Sequence, residues 1–416
     1  MKQYKKLSRV IAILVVLALL AACGPGAGQA PAPAPAQPTP PAAAPGDAPA
    51  PGDQAAEVEE VFIGMLAPLT GPAAFFGESV RDGAMLYIDA FNARGGLQIR
   101  VSLINEEGDP ILATTGYHSL VDQGVTAVLG SVTSGPTMAV VPLAYEDGMP
   151  MITATATHAN VTVEAGTGRV FTNMFRSCFI DPFQGVKMAD FAAEIVGAST
   201  AAILYSHEID YSIGLMEAFR DRAVEIGMEI VAVERFVDDA VSFHSQLTNI
   251  AAVNPDVMFF PAYIRHVALM GPQSLEVGLD TVLLGADGWN GALEAMADPS
   301  DIDGSFFITG FTTDSDDPFV QSFITRFEDK TGFAPSMFAA QAYDAAMILI
   351  AALEGAIAEG LEPGTREFKD ATIRHMAATD LTGVTGHITF DQYNNPQKTA
   401  FIVTVENGLE SFWGTF

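Results

Sequence analysis

An α/β protein built as two doubly wound parallel-sheet lobes is the architecture this sequence predicts, and three observations predict it. Short apolar runs alternate with helix-period segments from residue 61 onward; the alternation pauses near Phe171 to Asp181 and then restarts; and about 360 residues follow an Ala/Pro-rich stretch, more than one hydrophobic core usually organises. In the first half, Val61 to Ala67 reads as a buried strand. Gly77 to Ala93 reads as a helix with apolar residues at Val80, Ala84, Leu86, Tyr87 and Phe91. A strand over Arg100 to Asn105, a helix from Ile111 to Gln123, a strand at Ala127 to Gly130, a helix from Pro136 to Asp147 and a strand from Met151 to Thr155 continue the series. This βαβ order implies a parallel sheet covered on both faces.

The second series runs through strands at Ala201 to Tyr205, Glu229 to Val233, Val257 to Phe260 and Val282 to Gly285, with helices at 211–227, 242–253 and 265–277 between them. After a strand at Phe306 to Phe311, helical stretches at 317–330, 337–359 and 365–377 break the simple alternation. Strand-like Gly386 to Asp391 and Ala400 to Glu406 close the chain.

The N-terminus reads as an export signal. Lys2, Lys5, Lys6 and Arg9 precede thirteen uncharged, mostly aliphatic residues, Val10 to Ala22, too few to span a bilayer that needs roughly 20. Leu20-Ala-Ala-Cys23 resembles a bacterial lipobox, which implies lipidation of Cys23 and anchoring to a membrane. Gly24 to about Gln54 is almost entirely Ala, Pro and Gly, including Pro31-Ala-Pro-Ala-Pro35, a composition for an extended polyproline spacer. Without the four basic residues of the leader, 16 Lys and Arg face 50 Asp and Glu. Such acidity excludes nucleic acid as a natural partner, because phosphate binding is driven by cationic surface. The only other cysteine, Cys178, has no bridging partner once Cys23 is lipidated.

Ligands of open parallel sheets bind beyond the carboxyl ends of the strands, so the loops there hold the candidates. Ser131-Val-Thr-Ser134-Gly-Pro136 and Thr153-Ala-Thr155-Ala-Thr157 bring hydroxyls and helix-start amides that suit a carboxylate, although helix caps and tight turns use the same residues. In the second series, Asp210-Tyr211, Tyr263 and Asp287-Gly-Trp289 each follow a strand. A carboxylate flanked by aromatic faces suits an ammonium group.

The order of elements, together with Ile63-Gly-Met-Leu-Ala-Pro-Leu-Thr-Gly-Pro72, Gly95-Gly96, Gly108-Asp-Pro110, Met151-Ile-Thr-Ala-Thr155, Asp210-Tyr211 with Gly214, Gly285-Ala-Asp-Gly-Trp289 and Gly383-Val-Thr-Gly386 before Phe390-Asp391, resembles the type I periplasmic substrate-binding proteins of ABC importers. The leucine/isoleucine/valine-binding branch is the most similar. The resemblance implies two lobes joined by three crossovers that close over a ligand. It divides the chain into a leader (1–22), a tether (23–57), a first lobe (58–180 and 310–386) and a second (181–309 and 387–416). It places Ser134, Thr155 and Thr157 on an amino acid's carboxylate and amino group, with Tyr211, Tyr263 and Asp287 opposite and Asp287 on the ammonium. Asp181 falls at the first crossover. Phe76 stands where a tyrosine is common in amino-acid binders, and Phe75, Phe76 and Trp289 are candidates for the side-chain pocket.

The implied partners are a small polar ligand, foremost a branched-chain or other neutral amino acid, and the membrane subunits of an ABC permease. Amides, urea or aromatic acids remain alternatives, as does a sensory module on the same fold. Enzyme signatures are poor: the sequence has no Gly-x-Ser-x-Gly, Walker loop or His-Glu-x-x-His. Asp301-Ile-Asp303-Gly304 fails as a calcium loop because Pro299 and Gly310 occupy its first and last positions. No cofactor or metal is expected.

Overall fold

The computed structural model describes residues 59–416. The expected leader, Cys23 and almost all of the spacer lie outside the described residues. The first series forms β1 (Glu60–Ala67), α1 (Ala74–Asn92), β2 (Gln98–Asn105), α2 (Pro110–Asp122), β3 (Val128–Leu129), α3 (Ser134–Glu146), β4 (Met151–Thr153) and β5 (Met174–Arg176). The five strands make one parallel sheet in the order β2-β1-β3-β4-β5. β1, between β2 and β3, is buried along nearly its whole length, as a near-continuous apolar run requires when helices cover both faces.

The chain then crosses to a second sheet. It forms α4 (Asp181–Phe191), β6 (Thr200–Ser206), α5 (Asp210–Glu225), β7 (Glu229–Phe236), α6 (His244–Val253), β8 (Val257–Phe259), α7 (Ile264–Glu276), β9 (Val282–Gly285), a single-turn α8 (Ala292–Ala295) and β10 (Phe306–Thr309). It returns as α9 (Pro318–Thr331), α10 (Met337–Ala358), α11 (Arg366–Ala377) and the hairpin β11 (Asp380–Gly383) and β12 (Gly386–Thr389). It crosses a third time to β13 (Phe401–Glu406) and β14 (Leu409–Thr415). The second sheet runs β14-β13-β10-β9-β8-β6-β7, parallel from β7 to β10, with β13 and β14 added antiparallel.

This is the expected two-lobed α/β fold, with local differences. β5, α4 and β14 had no place in the sequence series. Of the strand expected at 386–391, Gly386–Thr389 pair with β11 in a small hairpin outside both sheets, and Phe390 makes an isolated bridge to Pro396. α1 and α10 pack so closely that a Cβ on Gly83 would stand 2.0 Å from the Ala339 carbonyl oxygen, so only glycine permits the approach that seats the start of α10 against α1.

Candidate functional site

A small cavity lies between the two sheets at the carboxyl ends of their strands. The first lobe contributes Phe76 from α1, Val132 and Thr133 from the β3–α3 loop, Thr155 and Thr157 from the turn after β4, and Phe338 from the first turn of α10. The second contributes Tyr211 from the first turn of α5, Tyr263 just before α7, and Asp287 and Gly288 after β9. Six of the eight expected ligand residues therefore meet around one space: Phe76, Thr155, Thr157, Tyr211, Tyr263 and Asp287.

The other two do not face it. Ser134 is buried, with its Oγ accepting the His158 backbone N–H at 3.3 Å, and its neighbour Thr133 takes the place on the wall. The helix starts at Ser134, two residues before the expected Pro136, and this turns that side chain into the helix's first turn. Trp289 is also buried. Its indole N–H donates to the Phe260 carbonyl at 2.8 Å and its ring covers Gly285, so it packs the second lobe's core behind the cavity. An indole buried at that position needs an acceptor, and the core supplies one. Thr133 was expected with Ser134 as a hydroxyl of the carboxylate cradle, whereas Phe338, Val132 and Gly288 were not foreseen as wall residues. Gly288 flanks an expected residue, but Phe338 opens a helix rather than following a strand, and no local signal marks it.

The chemistry is polarised. Asp287 Oδ1 accepts the Tyr211 hydroxyl at 2.8 Å, and the Tyr211 oxygen in turn accepts the Gly288 N–H at 2.8 Å. Burial pushes the Asp287 carboxyl up to about 6, partly offset by the Tyr211 hydrogen bond. Tyr211 and Tyr263 stack at 4.7 Å, and Phe76 lies 5.3 Å from Tyr263 and 4.8 Å from Phe338, giving the cavity a continuous aromatic side. On the first lobe, Thr155 Oγ1 donates to the Val132 carbonyl at 2.7 Å, which leaves its lone pairs for a donor on the ligand. Among the described residues, no lysine or arginine lines the cavity.

Asp181 opens α4 at the first crossover, fully buried, with no well-formed hydrogen bond to either carboxylate oxygen. Burial holds it well above the ordinary carboxylate range. Asp287 adds to the shift, while the Thr157 hydroxyl and Arg176 oppose it. Cys178 is a buried free thiol that burial pushes up to about 12, the inert state of a structural cysteine. Among the described residues, no three His, Cys, Asp or Glu side chains are placed to hold a metal.

Comparison with known families decides what this geometry belongs to. The periplasmic binding protein family profile matches residues 60–409, both lobes and all three crossovers. The chain belongs to the periplasmic binding protein family. A Leu/Ile/Val-binding protein homolog 3 from Brucella melitensis biotype 1 is 31% identical over 172 residues, 41% of this chain and 45% of that protein, so the match covers less than half of that relative. Among solved structures, a branched-chain amino acid transporter substrate-binding protein from Streptococcus pneumoniae, in complex with isoleucine, is 30% identical, with a TM-score of 0.77 and coverage of 86% of this chain and 99% of that one. A leucine-binding protein from Thermotoga maritima MSB8 is 27% identical, with the same TM-score and coverage of 86% and 98%. Six of the eight expected residues line the cavity between the lobes of this periplasmic binding protein.

Proposed function

We propose that this periplasmic binding protein is a lipid-anchored extracytoplasmic receptor that captures a small neutral amino acid, a branched-chain one foremost, and delivers it to an ABC permease by lobe closure. The observation that carries this reading is the single cavity in which Asp287 and the stacked tyrosines of one lobe face Thr155, Thr157 and the α3 start of the other. An ammonium pairs with Asp287 and the Thr155 lone pairs. The carboxylate meets Thr157 and the amides at the start of α3, whose N-cap Thr133 makes no side-chain cap bond. The aliphatic end lies against Phe76 and Phe338. A ligand touching both walls stabilises the closed form by its differential contacts.

A micromolar complex requires about −8 kcal/mol, within reach of a ligand of about nine heavy atoms at up to roughly 1.5 kcal/mol each. The names of the relatives support this ligand class, and the export signal with Cys23 supports the anchor. We take the two sheets with their helices as the two closing bodies, the last exchange between them falling after β12 rather than at the expected 386–387, because β12 pairs with β11. Calorimetry of the purified protein with leucine, isoleucine, valine, threonine and alanine tests the reading. If none bound, and Asp287→Ala changed nothing in a wider screen of amides and small carboxylates, the reading would fall. Cys23→Ala should release the protein from membranes.

A further inference from the structure

A buried arginine lies directly behind the Thr157 turn. Arg176, the last residue of β5, is fully enclosed, and its guanidinium donates to the Ala156 carbonyl at 2.8 Å, the His158 carbonyl at 3.0 Å and the Thr162 hydroxyl at 3.2 Å. The two carbonyls stand on either side of Thr157 in the chain. The Thr157 carbonyl itself accepts the Asp181 N–H at 2.9 Å, and the His158 N–H donates to Ser134 Oγ at the start of α3. Three successive carbonyls are thus drawn back to partners that do not line the cavity.

A planar trans peptide points its N–H opposite its carbonyl. With the Ala156 carbonyl held on Arg176, the N–H of the same trans unit, that of Thr157, is turned towards the cavity that Thr157 lines. Among the described residues this N–H meets no acceptor. Buried backbone donors are normally paired, so a free one on a cavity wall marks a place for an acceptor from outside the chain.

The guanidinium is similarly incomplete. All its bonds go to neutral oxygens, and its Nε has no partner. Burial lowers its pKa from the ordinary value, while Cys178, Asp181 and Asp391 act the other way. Asp181 is itself held towards its neutral form, so the cation beneath the turn lacks a hydrogen-bonded counter-charge. A buried charge without a partner is costly, and an anion enclosed on the far side of the Thr157 peptide offsets part of that cost.

We propose that Arg176 is the positioning residue for the ligand's carboxylate: through the Ala156 carbonyl it aims and polarises the Thr157 N–H, so that the receptor selects an acid over the corresponding amide. The inference deepens the amino-acid reading of the cavity and rests on it. Hydrogen bonds in a chain strengthen one another, and a charged donor at one end strengthens the N–H presented at the other. A carboxamide oxygen carries no net charge and gains less from that N–H than a carboxylate does.

Calorimetry on the full protein at pH 7 with L-leucine and L-leucinamide, which share the amino group and side chain, tests this. The unaltered protein should prefer the acid by about a hundredfold. Arg176→Gln should shrink that preference about tenfold, whereas Arg176→Lys, which keeps the charge, should retain it within about threefold. Equal weakening of acid and amide by Arg176→Gln marks a merely structural role and overturns the inference. Should the glutamine variant fail to fold, NMR of the labelled, unaltered protein decides. Leucine should move the Thr157 amide proton downfield by more than leucinamide does, and a Thr157 signal indifferent to the acid overturns the inference. If no neutral amino acid binds, benzoate and benzamide replace the pair. A preference for benzoate that collapses in Arg176→Gln then overturns the amino-acid reading and leaves the role of Arg176 standing, while a protein that prefers neither acid over its amide overturns that role.

Discussion

The wall that the first lobe gives the cavity carries hydroxyls, helix-start amides and two phenylalanines but no charge, whereas the wall from the second lobe carries a buried carboxylate held by one of two stacked tyrosines. The first wall can be solvated in an open form at little cost. On the second wall Asp287 is buried, and that burial penalises its ionised form in the absence of a cation. On the proposed function, one lobe reads mainly ligand charge and the other ligand shape, and closure joins the two readings.

The largest break in this asymmetry is Asp287→Ala. It removes the one ionisable carboxylate that the described residues place on the cavity wall, and binding of a neutral amino acid should fall by about 3 kcal/mol, roughly a hundredfold, by calorimetry, with the circular dichroism spectrum unchanged. Next is Tyr211→Phe, which strips Asp287 of its hydroxyl donor and leaves the Gly288 N–H without its acceptor. About tenfold weaker binding is expected, with the midpoint of its pH dependence moved upward because the ionised carboxylate has lost a stabilising bond.

The pH dependence of the unaltered protein follows from Asp287 at about 6 against an ordinary value of 3.8. Ammonium binding needs the ionised form, so affinity should be level above pH 7 and fall by up to tenfold per unit below pH 6. Ligand-free stability carries the opposite sign for this group: the penalty of a buried ionised carboxylate is full above pH 6 and is relieved as pH falls from 6 towards 4. Titrations and melting curves between pH 4.5 and 8 measure both trends, and parallel movement of the two would contradict the assignment.

Smaller effects test the uncharged wall. Thr155→Val loses the hydrogen bond to Val132 and one acceptor for the ligand, and should weaken binding by about 1 kcal/mol, less than either change on the second lobe. Phe76→Tyr should alter affinity by no more than about threefold, because the ring already packs on Tyr263 and Phe338 and the added hydroxyl gains at most one solvent-competing bond. An effect of Thr155→Val as large as that of Asp287→Ala would place charge recognition on both walls.

The asymmetry was partly legible in the sequence. Tyr211, Tyr263 and Asp287 follow strands of the second series directly, and the geometry of an open parallel sheet gathers such residues whatever the details of the helices. Thr155 and Thr157 were legible for the same reason. Ser134 and Trp289 were misplaced because one turn of backbone decides where a side chain points: α3 begins two residues early, and the short 3₁₀ turn at Asp287–Trp289 sends the indole inward. Phe338 was invisible because it reaches the cavity through the close packing of α10 on α1, a tertiary contact that no local period encodes. α4 lay hidden behind Pro182, and β5, three residues long, carries the buried Arg176. Neither shows the apolar rhythm by which the other elements were found.

Trp289 follows Asp287 and Gly288 directly in one tight turn, and the chain contains only two tryptophans. The other, Trp413, is 41% exposed on β14. A soluble quencher should silence Trp413 and spare the buried indole, so that, on the proposed function, a guest settling on Asp287 is expected to change the remaining emission without any attached dye.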